Sequence, residues 1–394
     1  MRKNSVPVLK LLTLFVSFPV GSLLLSVDAF FSLSISSSET LYLRKASISS
    51  ASPITRRLQM RSYLLQPHPY HNINNQQQPL TMVSSDVSLL EDAAKNVNIP
   101  FDSILNMRDL STASSSKVAP GKLYRTGCVS GATVADVEKC DGLGIKVWID
   151  LRSELEVEED VDINSAIYNN VMNVRYDRDA DEWKLDNNNL QSSSSGKMRY
   201  FIALMNEGVI KKGVFQRLKK RAKLLVATLA PLSSTSKRMD QKVKSIFLKV
   251  INSGGLALLN ELAIEKSPEA LISCLKIITI EAEHKAVGVF CTAGKDRTGL
   301  ICALTLSILG ATDDEIIADY ILSDSVYGQL KSSAKVASLS QHDLDPDIFL
   351  RAKAPVIMET LEFMREKFGS VEEFLDTYGF NEDWRTRLRN NIGR

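Results

Sequence analysis

Beyond about residue 100, short apolar runs alternate with stretches of helical spacing. Ile145-Lys146-Val147-Trp148-Ile149 mixes apolar and polar positions ahead of Asp150-Leu151-Arg152, which predicts a strand running into a loop. Val171–Tyr176 is a second strand candidate, and the brief apolar run Ala286-Val287-Gly288-Val289-Phe290 is a third. Between them, Leu256, Leu259, Leu262 and Ala263 recur at helical spacing. Ser267-Pro268 predicts the cap and first position of another helix, reaching about Ile280. Thr312-Asp313-Asp314-Glu315 has the form of a capping box and opens a helix carrying Ile316, Ile317, Tyr320 and Ile321. A last helix is expected from Pro355 to Phe368, with Gly369 as its stop. Strands alternating with helices imply one α/β domain with a mostly parallel central sheet flanked by helices.

Three stretches depart from that alternation. Asp186–Lys197, with its asparagine and serine runs, reads as a surface loop. Lys211–Lys223 carries seven basic residues and no acid, with Ile210, Val214, Leu218 and Leu225 at roughly helical intervals. It is expected to form a basic amphipathic helix, either a solvated face or a surface for anionic lipid or substrate. About 184–250 is therefore set apart as a helical insertion in a domain spanning 86–394.

The third stretch is the N-terminus. Residues 1–29 pair a short basic start with an apolar stretch from about Val6 to Val27 and a small residue at Ala29, as in a cleavable secretory signal peptide. Residues 30–85 are rich in serine, carry arginine and are nearly free of acids, the composition of a transit peptide. A signal followed directly by Phe30 and a transit-like segment resembles the two-part presequence of algae with secondary plastids. That resemblance implies a plastid destination; an ordinary secreted or endomembrane protein is the alternative. No run after residue 30 is expected to span a membrane.

Charge sharpens this division. The 394 residues hold 48 Lys and Arg against 46 Asp and Glu, but residues 1–85 contain eight basic and two acidic side chains, leaving 40 basic against 44 acidic beyond them. A mildly acidic body is a poor match to nucleic acid. The five cysteines show no metal spacing, and Cys128, Cys140, Cys274 and Cys302 are read as core or inert thiols.

The fifth cysteine opens the segment that carries chemistry. After the strand ending at Phe290 comes Cys291-Thr292-Ala293-Gly294-Lys295-Asp296-Arg297-Thr298-Gly299, then an uncharged, largely apolar run to Leu309 and Gly310. A tight loop opening a buried helix presents successive backbone N–H groups to one point, where the helix N-terminus adds positive potential; phosphate fits such a place. The dipole and Arg297 favour the thiolate form of Cys291. Arg297, six positions on, offers a planar fork for two oxygens of a transferring phosphoryl group. These parts suit in-line attack of sulfur on phosphorus, a cysteinyl-phosphate intermediate and its hydrolysis, with no metal or other cofactor.

The string Cys-x5-Arg-Thr-Gly is the signature of the cysteine-dependent protein tyrosine phosphatase superfamily. The fuller loop, with Lys295-Asp296 inside it, resembles the branch with tyrosine, dual-specificity or phosphoinositide activity. Asn106-Met107-Arg108-Asp109-Leu110, Leu123-Tyr124-Arg125-Thr126-Gly127, Ile149–Glu156, Asp319–Ser323 and Phe368–Glu372 are similar to further blocks of that branch in order. The resemblance implies a tyrosine-phosphatase-like fold, with Cys291 as nucleophile and Arg297 as phosphate ligand. Thr298 then helps the sulfur leave, and Asp296 is the candidate general acid. Thr292, Ala293, Gly294 and Lys295 line the phosphate, with Lys295 adding charge for polyanionic substrates.

A competing acid lies in Asp177–Asp181. The family usually places His before the nucleophile, where this chain has Phe290, so activation falls to the amides, the dipole and Arg297. The Asn106, Arg108, Asp109 and Asp150, Arg152, Glu156 groups are expected to form buried ion pairs tying loops to the sheet. The expected partner is a phosphorylated protein; phosphoinositide hydrolysis and a catalytically weak phospho-binding module are the alternatives. Oligomeric state is not legible.

Overall fold

The computed structural model describes residues 87–113, 117–158, 160, 166–168, 171–177, 182–185, 196–326 and 343–394. The expected presequence and residues 186–195 of the expected Asp186–Lys197 loop lie outside them, as do Asp179 and Asp181, while Lys197 opens a strand rather than ending a loop. The strands in chain order are β1 (Arg108–Asp109), β2 (Leu123–Thr126), β3 (Ile145–Asp150), β4 (Val171–Asp177), β5 (Glu182–Leu185), β6 (Lys197–Phe201) and β7 (Ala286–Phe290). They form one sheet in the order β1-β2-β7-β3-β6-β4-β5. The five inner strands are mutually parallel, and β1 and β5 close the two edges antiparallel. This is the mostly parallel α/β fold that the alternation implies.

β7 is apolar and buried at every position, as a strand covered on both faces should be. Gly288 at its centre is required by close approach: a Cβ there would stand 2.4 Å from the Trp148 ring on β3. Trp148 in turn meets the Phe290 ring edge-on at 6.1 Å, and both belong to a core with Met107, Tyr124, Val129 and Tyr168.

The chain passes from β2 to β3 and returns much later to insert β7 between them. Ligands in open α/β sheets bind at such a crevice, beyond the carboxyl ends of the strands. Gly127, Leu151 and Cys291 all emerge there. The helix Asp296–Ile308 leaves this point and is buried along nearly its whole length.

Several helices follow the sequence expectations closely. The capping box is present, with Thr312 accepting from the Glu315 N–H at the head of Asp313–Leu322. Ala354–Phe368 ends at Gly369 with φ 92°. Pro268–Glu281 starts where Pro268 predicts, but Ser267 makes no capping bond, and its hydroxyl has no partner among the described residues.

Two expectations change. Lys211–Lys223 is not one helix: Leu218 takes an extended conformation, φ −63° and ψ 141°, and divides Glu207–Arg217 from Lys220–Ser233. Within the presumed insertion, β6 lies inside the sheet between β3 and β4. Its charged residues are accommodated by pairing, Lys197 with Asp141 at 2.6 Å and Arg199 with Asp150 at 2.5 Å.

The helix Lys237–Lys266 kinks at Gly255 (φ 56°, ψ −146°). By length and composition it could cross a membrane. Its buried face, from Val243 to Ile264, makes it a core helix instead. Asn260 donates to Thr360 at 3.0 Å, and Arg217 bonds Glu261 and Glu265. Together these fasten the helix to its neighbours.

Candidate active site

From Phe290 the chain turns through Cys291–Lys295 and enters the helix at Asp296. The turn needs glycine at one place. Gly294 has φ 66°, and a Cβ on it would lie 2.3 Å from the Thr126 carbonyl, so a larger residue is excluded by both strain and space.

The outer side of the loop is held by its carbonyls. Cys128 N–H donates to Thr292 O at 3.0 Å. Asn106 Nδ2 donates to Ala293 O at 3.3 Å and to Gly294 O at 2.9 Å. Arg125 Nη2 donates to Gly294 O at 2.9 Å and to Lys295 O at 3.4 Å. In a planar trans peptide the C=O and the following N–H point in opposite directions. Four carbonyls fixed outward therefore turn the N–H groups of Ala293, Gly294, Lys295 and Asp296 to the inner side, as an anion cradle requires.

Asn106 makes these bonds from φ 59°, rare for a residue other than glycine. Its Oδ1 accepts from Arg108 Nη1 at 2.5 Å. Arg108 and Arg125 share the carboxylate of Asp319, and all three are buried. Burial presses the Arg108 pKa down to about 10, against the attraction of Asp319. Burial would lift Asp319, but the two guanidiniums outweigh it and hold the acid below its ordinary value.

On the opposite side stands Glu156. It receives Arg297 Nη1 on Oε2 at 2.6 Å and Nη2 on Oε1 at 2.8 Å, a bidentate pair. It also accepts from Thr292 Oγ1 at 2.6 Å and from the N–H and hydroxyl of Ser153 at 2.8 and 2.9 Å. Burial alone would raise Glu156; Arg297 and these donors bring it down to about 2. Burial opposes the charge on Arg297, yet Glu156, then Cys291 and Asp296, raise its pKa above the ordinary value. Arg297 is thus charged and aimed, with its Nη1 also on Leu151 O at 3.3 Å.

Cys291 is buried, at 2% exposure, where β7 gives way to the loop. Phe290 before it lies under the Arg152 guanidinium, 5.4 Å from the ring centroid. A cation–π and an aromatic contact thus hold the residue before Cys291, where the resemblance leads one to expect histidine. Thr298 is fully buried, and its hydroxyl has no partner among the described residues. The Gly294 carbonyl, one turn back in the chain, is occupied by Asn106 and Arg125.

Asp296 accepts from Tyr320 Oη at 3.0 Å and lies 3.4 Å from Lys295 Nζ. Lys295 itself is 2% exposed, and its ammonium donates to Phe349 O at 3.0 Å and Arg351 O at 2.8 Å. It ties the loop to a later segment of the chain. Asp177 is ion-paired with Lys184 at 2.6 Å on the outer hairpin. Its strand stands three strand spacings from β7, about 14 Å across the sheet.

The sequence reading brings Cys291, Thr292, Arg297 and Thr298 into one place, and the structure adds partners it did not assign. Tyr320 reaches Asp296 from the capping-box helix. Glu156 grips Arg297, a role signalled in retrospect by the Ser153-x-x-Glu156 pattern, which does form reciprocal bonds. The remaining cysteines sit apart in character. Burial pushes the Cys140 and Cys302 thiols up to about 12, and Cys274 well above its ordinary value.

Known proteins share this arrangement of sequence. The chain is 24% identical over 284 residues to a protein of Cupriavidus necator provisionally named a tyrosine-protein phosphatase, covering 71% of this chain and 82% of the other. It is 32% identical over 109 residues to the triple specificity protein phosphatase PtpB of Mycobacterium tuberculosis, covering 26% of this chain and 39% of the relative. A tyrosine-protein phosphatase of Nostoc commune is 30% identical over 116 residues, 28% of this chain and 40% of the relative. The model of the tyrosine phosphatase family matches residues 99–393, and with the strand-loop-helix cradle in place the chain belongs to that family.

Proposed function

We propose that the protein hydrolyses phosphomonoesters on protein side chains, phosphotyrosine foremost, through Cys291. The arrangement of the loop carries this reading: four amides turned inward around a cysteine, with a charged arginine fixed beside it. The thiolate of Cys291 attacks phosphorus in line as the P–O bond to the substrate breaks. Arg297 and the amides hold the equatorial oxygens as charge redistributes. Asp296 gives its proton to the departing oxygen and then takes one from the water that attacks the cysteinyl phosphate. The P–S bond breaks as phosphate forms, and the Thr298 hydroxyl donates to the sulfur that leaves.

Lys295 supports protein over inositol-lipid substrates, since two main-chain carbonyls already hold its ammonium. The test is phosphate release from p-nitrophenyl phosphate and from phosphotyrosine, phosphoserine and phosphothreonine peptides, with reductant and metal chelator, beside Cys291→Ser. Release that survives chelation and vanishes in the variant is expected. A well-folded protein without release sinks the reading in favour of phospho-binding. Asp296→Asn should flatten the alkaline fall of the pH–rate profile, where a general acid loses its proton. An unchanged fall would move that role to the Asp177–Asp181 cluster.

We also infer plastid delivery from the paired targeting signals in residues 1–85. A fluorescent protein fused behind those residues should enter the plastid of such an alga; retention along the secretory route would refute this.

A further inference from the structure

The basic stretch singled out in the sequence is left unused by the site. From Gly208 to Met239 the chain carries nine Lys and Arg and no acid, so the rest of 86–394 holds 31 basic against 44 acidic side chains. Some of these cations are engaged within the fold: Lys211 pairs with Glu207, Arg217 with Glu261 and Glu265, and Lys223 lies over Phe215. Lys219, Lys220 and Arg221 are exposed at the start of the helix Lys220–Ser233, and Lys237 and Arg238 are exposed just past its end.

The face of that helix between the two basic groups is largely apolar, with Thr228 as its one polar, uncharged member. Val226, Ala230 and Ser233 are buried against the body. Leu224, Leu225 and Leu232 lie on the opposite side, 68%, 37% and 50% exposed. At 100° per residue they share their arc with Lys220 and Arg221. A solvated helix places charged or polar side chains outward; three exposed leucines framed by cations are the pattern of a helix lying in a bilayer interface. The helix is about 21 Å long at 1.5 Å per residue, enough for the cations at both ends to reach separate headgroups.

We propose that the helix Lys220–Ser233 docks the protein on an anionic membrane surface, with Leu224, Leu225 and Leu232 in the acyl boundary and Lys219, Lys220, Arg221, Lys237 and Arg238 among the headgroups. Charge complementarity selects this occupant: the longest acid-free segment of an otherwise acidic body, with nine Lys and Arg, coincides with its exposed leucine face. The docking is independent of the phosphatase reading, because its readout is lipid partition.

The test is sedimentation of the full chain with vesicles of phosphatidylcholine, with and without phosphatidylserine, at low and raised salt. Two paired variants accompany it, Lys220→Glu with Arg221→Glu, and Leu224→Ser with Leu232→Ser. Partition should require phosphatidylserine and fall with salt. Each pair should weaken it about tenfold or more, with turnover of p-nitrophenyl phosphate unchanged. Equal binding by both variants would overturn the proposal and assign any membrane contact to the apolar segment at residues 6–27. A solution mass by light scattering that halves on the leucine substitutions without vesicles would also overturn it, since a second copy would then cover that face.

Discussion

Two buried ion networks flank β7, and they hold the same loop by different handles. On the β2 side, Asn106 and Arg125 grip main-chain carbonyls, with Arg108 and Asp319 behind them. On the β3 side, Glu156 grips side chains, Thr292 and Arg297. The first network fixes the shape of the cradle; the second fixes the direction and charge of Arg297, the proposed phosphate ligand. Shape and aim are therefore separable by substitution, although both networks are equally buried.

The sharpest break is Asp319→Ala, which leaves two arginines buried without their shared carboxylate. It should lower unfolding free energy by about 3–5 kcal/mol, read by urea denaturation, with activity lost along with the fold. Next comes Glu156→Gln. Freed from its bidentate partner, Arg297 should lose its aim, and kcat/KM should fall by about a hundredfold. If the comparison holds, that loss is larger than the change in unfolding free energy. A variant as unstable as Asp319→Ala would mean that both networks are scaffolds.

Acid pH sharpens the contrast without a new contact. Glu156 is held at about 2 against an ordinary 4.5, so its depressed acid contributes stability that is full above about pH 4.5 and is lost as pH falls toward 2. The stability gap between the natural protein and Glu156→Gln should therefore be flat at neutral pH and close across that window. The mildest change is Tyr320→Phe, which removes one hydrogen bond from Asp296. A rate loss of several-fold, about 1 kcal/mol, is expected, with unfolding little altered. No rate change would leave Tyr320 as packing alone.

What could be read from the sequence was local. Ala286–Phe290, the Thr312-x-x-Glu315 box, Gly369 and the loop from Cys291 to Gly299 each announce themselves within a few residues, because a strand, a cap and a phosphate cradle are all short-range patterns. What was missed is non-local. Lys197-Met198-Arg199-Tyr200-Phe201 carries two cations and does not read as an inner strand; Asp141 and Asp150 on other elements make it one. Leu218 gives no sign that it interrupts a helix. Lys295 reads as a charge facing substrate until its two carbonyl partners, 54 and 56 positions later, are seen.

That distance bears on how the protein is made. The Cys291–Lys295 loop leaves the ribosome well ahead of Phe349 and Arg351, so a nascent chain ending between them lacks both carbonyls that hold the Lys295 ammonium. Completion of the cradle waits for the C-terminal part of the domain. A chain cut short before Phe349 would therefore carry the loop without its full set of tethers.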